Sequence, residues 1–265
     1  MLVLAIDTST PTVTAGVVRL KRPHEIAAGI EAEAAALGFD PPASWLSKFS
    51  GDPCTVLAEC SVTDSFGHAE HLMPLVTAAL AEAGHRIGEL GAVVVGIGPG
   101  PFTGLRVGMA TAAALGDALG IPVHGVPSHD GVANAMGSAW GFLVVSDARR
   151  REVYVSGYDE CGARRFGPLV IAPAALPALL AEQASDGGSN DLRWMTGAGA
   201  ELLAGHVDLP IRPLDRQISR GLVEQVYREL VTEVVPGPLS PLYLRRPDAT
   251  EPGAAKSVLG AVSTR

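Results

Sequence analysis

Leu2-Val3-Leu4-Ala5-Ile6-Asp7-Thr8-Ser9-Thr10 opens the chain and sets its reading. The unbroken apolar run is short and suits a strand covered on both faces. It ends in a carboxylate followed by three hydroxyl side chains. That predicts a tight turn over Thr8–Thr12 into a hairpin partner at Val13–Leu20. A carboxylate at the end of a buried strand, followed by hydroxyls and backbone N–H groups, can hold phosphate and a metal-bound water. The same residues, Asp7, Thr8, Ser9 and Thr10, also make an ordinary β-turn, and both readings stand at this point.

Downstream, residues 21–55 break the strand pattern. Glu25–Leu37 suits a helix, while Asp40-Pro41-Pro42 and Gly51-Asp52-Pro53 punctuate the rest, so the segment reads as an insertion between strands. A strand resumes at Thr55–Val62. Leu72, Leu75, Val76, Ala79, Leu80 and Ala83 then fall at helical spacing, with Pro74 near the first turn and Gly84 as a stop. Ala92–Ile97 reads as a buried strand, a glycine-rich turn and a helix to about Leu119 follow, and Pro122–Val126 is another strand. The order βββαβαβ predicts an α/β fold. The second half repeats the order loosely: a helix over Ser128–Met136, strands at Phe142–Ser146 and Glu152–Tyr158, a helix at Leu176–Gln183, a strand at Leu192–Thr196 and a helix at Ser219–Val235. Two lobes are expected, residues 1–126 and 127–246, with a mobile tail over 247–265.

The 265 residues are 47% apolar and 18% charged, enough for a sizeable core and far from a disordered composition. No apolar run reaches the roughly 18 residues a membrane span needs. Met1–Ile6 lacks a basic flank and ends in Asp7, so a signal peptide is not expected. Cys54, Cys60 and Cys161 form no paired pattern, which suits a reduced cytoplasm. The net charge of −8 argues against a chain that grips nucleic acid chiefly by itself, although it leaves room for a local basic patch.

Gly98-Pro99-Gly100-Pro101-Phe102-Thr103-Gly104-Leu105-Arg106 sits between a buried strand and a helix. There, backbone N–H groups at the sheet's carboxyl edge can meet an anion, with Gly98, Gly100 and Thr103 as contacts and Thr103 as N-cap. It is neither a P-loop nor a dinucleotide fingerprint, and it also reads as a rigid turn. Along the following helix, Gly104, Gly108, Ala112 and Gly116 recur every four residues. Interior Gly108 and Gly116 each cost about 1 kcal/mol against alanine, so close backbone approach, within the fold or to another subunit, must offset them. His68 and His71 lie three apart without a third ligand nearby, and solvated or capping roles compete with metal binding. In the turn Asp147-Ala148-Arg149-Arg150-Arg151-Glu152 the arginines suit phosphate or plain solvent. No catalytic nucleophile arrangement and no metal site is identified.

Together LAIDTST, GHAEHLMP, GIGPGPFTGLRVG, SDARRREVY, TGAGA and SPLYLRRPDA resemble, in order, the bacterial TsaB (YeaZ) family of tRNA threonylcarbamoyladenosine synthesis. The glycine-rich piece is the most specific. The resemblance covers roughly residues 1–20 and 60–247. It implies a two-lobed actin-like ATPase (ASKHA, ribonuclease H-like) fold with a degenerate second lobe. It further implies a cytoplasmic, non-catalytic partner of a TsaD-like catalytic subunit, joined by a TsaE-like ATPase and meeting tRNA through the complex. No tightly bound cofactor is implied, although the TsaD interface leaves room for a nucleotide. An isolated chain would have reason to homodimerise through the same helices.

The residues agree with that division. The second phosphate loop of an actin-like ATPase is glycine-rich, whereas Asp147–Arg151 has no glycine, and Gly197-Ala198-Gly199 is a remnant of the adenosine loop. The resemblance places the TsaD interface on the two helices His68–Ala83 and Thr103–Leu119. His68, Leu72, Leu75, Val76 and Ala79 on the first, with Gly104, Gly108, Ala112 and Gly116 on the second, are the expected contacts. A stand-alone actin-like ATPase or kinase is the competing reading. A metallopeptidase, suggested by the glycoprotease label of relatives, ranks last for want of a zinc triad.

Overall fold

The computed structural model describes residues 1–36, 53–137, 140–185, 192–214 and 217–245. The first lobe is a five-stranded sheet in the order β3-β2-β1-β4-β5, built from β1 (Leu2–Asp7), β2 (Thr12–Leu20), β3 (Cys54–Thr63), β4 (Ala92–Gly96) and β5 (Val123–Val126). β1, β2 and β3 form an antiparallel meander, while β4 runs parallel to β1 and β5 parallel to β4. Helix α1 (Pro23–Ala36) lies between β2 and β3 and covers the expected helix at Glu25–Leu37 to within two residues at its start; the rest of the insertion, 37–52, is outside the described residues, as is the tail beyond 245. α2 (His68–Glu82) links β3 to β4, and α3 (Phe102–Leu119) links β4 to β5.

The apolar run of β1 follows from its position. Leu2, Leu4 and Ile6 join a core with Leu72, Val76 and Ala79 of α2 and Met109 and Ala112 of α3. Val3 and Ala5, on the opposite face, meet Leu222, Val223, Val226 and Leu230. A strand buried on both faces has no place for a polar alternation.

The second lobe holds β6 (Gly141–Asp147), β7 (Val153–Tyr158), β8 (Arg164–Ile171) and β9 (Leu192–Thr196), ordered β8-β7-β6-β9. Three antiparallel strands are followed by helix α5 (Leu176–Ser185) and a strand parallel to the first. This repeats the path of β1–β2–β3, α2 and β4. The duplicated topology gives the architecture two lobes of one plan. α4 (Ser128–Met136) leads from β5 into the second lobe. There Ala133, Val132 and Met136 pack with Phe142, Tyr158 and Trp194, whose rings stack at centroid distances of 5.4 and 4.3 Å from Phe142.

The expected lobe boundary fails at its far end. α6 (Ile218–Gln225) and α7 (Tyr227–Val231) return to the first sheet instead of completing the second lobe. They also replace the single helix expected over Ser219–Val235, with the break at Val226. An apolar helix face specifies burial without specifying which sheet provides it.

Candidate functional site between the lobes

The hairpin turn after β1 and the loop after β4 come together as the sequence suggests, yet they close on each other. Asp7 is 2% exposed; its Oδ1 accepts hydrogen bonds from the Ser9 amide (2.9 Å) and hydroxyl (2.6 Å). Its Oδ2 has no hydrogen-bond partner among the described residues. Burial pushes the Asp7 carboxyl above the usual carboxylate range, against the opposing influence of the Ser128 hydroxyl and of Ser9. Thr8 is fully buried and its hydroxyl donates to the Gly104 carbonyl at 2.8 Å. Thr10 Oγ1 is engaged with the backbone of Thr12, and the buried His68 ring reaches the Thr10 carbonyl at 2.9 Å.

Gly100 packs so tightly on the Ser9 carbonyl that a Cβ there would overlap it. The two loops are therefore in direct backbone contact. Thr8 and Ser9 both make internal hydrogen bonds here. Thr103 is not the N-cap that the sequence suggests. α3 begins at Phe102 after Pro101 with no side-chain cap, and Thr103 lies exposed inside the first turn. In the second lobe Gly199 is similarly pressed on the backbone of β6, its Cβ position 2.5 Å from the Ser146 carbonyl carbon. Asp147 Oδ1 accepts the Arg149 amide at 2.7 Å, so its carboxylate organises its own turn.

The small-residue stripe of α3 also faces inward. Gly104 and Gly108 lie against Thr8, Ala112 is in the core, and Gly116 lies against Val123. His68, Leu72, Val76 and Ala79 are buried and Leu75 packs beside the same core. The close approach that Gly104 and Gly108 permit is to the chain's own hairpin turn, and the side chains expected at a subunit interface lie in or beside the core of the first lobe. The outward face of the same two helices is different. Ala69, Met73, Ala78 and Ala81 on α2 and Ala110, Ala114 and Ala118 on α3 are exposed, with Phe66 95% exposed just before α2. His71 is drawn to Asp64 at 3.0 Å, apart from His68.

A polar centre between the lobes escaped the sequence reading. His129, near the start of α4, meets Ser156 through Nδ1 at 2.8 Å and Ser146 through Nε2 at 2.9 Å. Burial, with a smaller contribution from the Arg164 charge, pushes its pKa down to about 3, so the ring is neutral. Beside it Asp130 accepts the Tyr158 hydroxyl at 2.8 Å, with Arg164 at 3.7 Å. The only sequence signal was Ser-His-Asp at a helix start; its partners lie on strands 17 and 27 residues away. A cavity of about 910 Å³ lies elsewhere, under residues 229–239, and of the site residues expected from sequence only Gly116 lines it.

Among relatives, an uncharacterised Mycobacterium tuberculosis protein is 43% identical over 93% of both chains. The Bacillus subtilis tRNA threonylcarbamoyladenosine biosynthesis protein TsaB is 35% identical over 40% of this chain and 46% of its own length. The solved structure of YeaZ from Pseudomonas aeruginosa superposes with a TM-score of 0.55 at 20% identity, covering 89% of this chain and 98% of that one. This likeness makes the fold two-lobed and actin-like. The sequence-family model for TsaD, tRNA N6-adenosine threonylcarbamoyltransferase, matches residues 63–215, more than half of the chain. With the duplicated topology and the glycine-rich loop after β4, these matches make the chain a member of the TsaB (YeaZ) family.

Proposed function

We propose that the chain is a non-catalytic subunit in tRNA threonylcarbamoyladenosine biosynthesis, docking a TsaD-like catalytic chain through the outer face of α2 and α3. The observation that carries this reading is the pairing of a closed loop site with an open helical face. Gly100 seated on Ser9 holds the two candidate phosphate loops in direct backbone contact. The alanines of α2 and α3 present small side chains, with Glu70, Glu82, Arg106 and Asp117 exposed among them, on which a partner's helices can lie closely. A TsaE-like ATPase would join that pair, and the same face is the expected surface for self-association of the isolated chain.

Co-purification with the TsaD-like protein from the chain's own cell extract tests the reading. Ala78→Glu combined with Ala114→Glu places two carboxylates in the contact, and about a 100-fold or greater loss of affinity is expected. Both positions are exposed, so the thermal midpoint should hold. Undiminished co-purification would remove the helical face from the reading. Robust ATP turnover by the purified chain alone would replace it with a stand-alone ATPase or kinase.

A further inference from the structure

We infer that a basic and aromatic band crossing from α3 to the β6–β7 turn binds the phosphate backbone of RNA. The inference rests on the proposed role in tRNA modification for its choice of ligand.

The band is continuous. The Arg106 guanidinium lies 3.8 Å over the Phe102 ring, and its Nε donates to the Tyr243 hydroxyl at 3.1 Å. Phe102 and Tyr243 stack at 4.8 Å, and Tyr243 remains 38% exposed. Two residues on, Arg245 donates to the Ala148 carbonyl at 2.8 Å and pairs with Glu152. This seats the segment after Tyr243 on the turn that carries Arg149, Arg150 and Arg151. All three are exposed. Five arginines thus stand against the carboxylates of Asp147 and Glu152, on a chain whose net charge is −8.

The turn has unusual backbone. Arg149, Arg150 and Arg151 have φ of 63°, 53° and 63°, the left-handed region that non-glycine residues adopt under steric strain. Glycine at any of them would relieve that strain, so the arginine side chains are carried there at a cost. Held by Arg149 N to Asp147, Glu152 N to Arg149 O and Ala148 N to Glu152 O, the turn carries its three exposed arginines on a fixed base, with the Arg149 guanidinium 3.8 Å from the Asp147 carboxylate. Guanidinium pairs with phosphate bidentately, and half-exposed aromatic rings beside it offer stacking surface for bases. An extended band fits a polymer of phosphates better than a single small anion, which needs a concave site.

The test uses the full chain, alone and as the complex with its TsaD-like partner, binding end-labelled tRNA across 50–300 mM salt. Arg149→Ala with Arg151→Ala should weaken binding about 10- to 100-fold near 100 mM salt and lower the log–log salt slope by about 0.7–0.9 for each arginine lost. Arg151→Gly should weaken binding while raising the thermal midpoint, which separates lost contact from lost folding. Unchanged affinity and slope in the double variant would overturn the band. So would loss of the partner in that variant with RNA affinity of the chain alone intact, which would make the band a protein contact. If the wild-type chain never co-purifies with a TsaD-like protein, the proposed function falls, and the salt slope of the isolated chain still decides the band.

Discussion

Gly108→Leu is expected to destabilise the fold itself and not merely to detach a partner. A Cβ at this position would overlap Thr8 Oγ1, and Thr8 has no exposed surface into which to retreat. The Thr8 hydroxyl bonds to the Gly104 carbonyl one turn earlier on the same helix, so the leucine must break that bond or move α3 off the hairpin. Overpacking costs about 1–3 kcal/mol, and buried polar groups left unpaired add about 1–3 kcal/mol. Better helix propensity returns about 1 kcal/mol. The expected net loss of about 3 kcal/mol is a large part of the roughly 5–15 kcal/mol that holds a domain folded. Urea denaturation should show it, with Ala110→Leu on the exposed face of the same helix as a control within about 0.5 kcal/mol. A wild-type midpoint in Gly108→Leu would mean that the stripe does not pack on Thr8.

That prediction marks the limit of what the sequence conveyed. Period 3.6 located α2 and α3 closely, and the four-residue recurrence on α3 correctly indicated a close backbone approach. Spacing does not say which neighbour approaches. The neighbour is the turn at Thr8, 100 residues earlier in the chain, and the face of the helix left exposed carries alanines and no motif. β8 was missed for a related reason: Arg164-Arg165-Phe166-Gly167-Pro168 is a half-exposed edge strand, charged and interrupted, without an apolar run. The candidate loops were placed correctly at the carboxyl ends of β1 and β4. Their mutual contact through Gly100 and Ser9 is a packing fact that no local pattern encodes.

The closed loops and the duplicated sheets bear on each other. In a two-lobed α/β architecture the ligand crevice lies at the carboxyl ends of the strands, where loops of both lobes converge. Here, at those strand ends, Gly100 packs on Ser9 in the first lobe and Gly199 on Ser146 in the second. What links the lobes instead is α4, seated by His129 on β6 and β7, and the segment through Tyr243 and Arg245. The architecture keeps the frame of a two-lobed binding fold while using the interlobe region to fix one lobe on the other.

His129 should therefore make the pair of lobes acid-sensitive. Its folded pKa of about 3 lies below the ordinary value of 6.5, so the unfolded chain binds a proton that the folded chain refuses. Its contribution is fully present above pH 6.5 and is lost as pH falls from 6.5 toward 3. At pH 4 the loss should reach about 3 kcal/mol at 1.36 kcal/mol per pH unit. Asp7 and Asp130 act in the opposite sense: burial raises both carboxyls, so their protonation at low pH relieves a cost in the folded state. The histidine is isolated by comparison with His129→Gln, whose amide keeps a donor and an acceptor for Ser146 and Ser156. The variant should be less stable than wild type at pH 7 by about 1–2 kcal/mol, since the amide cannot reach both serines with the ring's geometry. Between pH 6.5 and 4, however, wild type should lose about 3 kcal/mol more than the variant in urea unfolding, so the order of stability reverses in acid. Parallel pH curves would show that His129 takes up its proton without opening the contact between α4 and the second sheet.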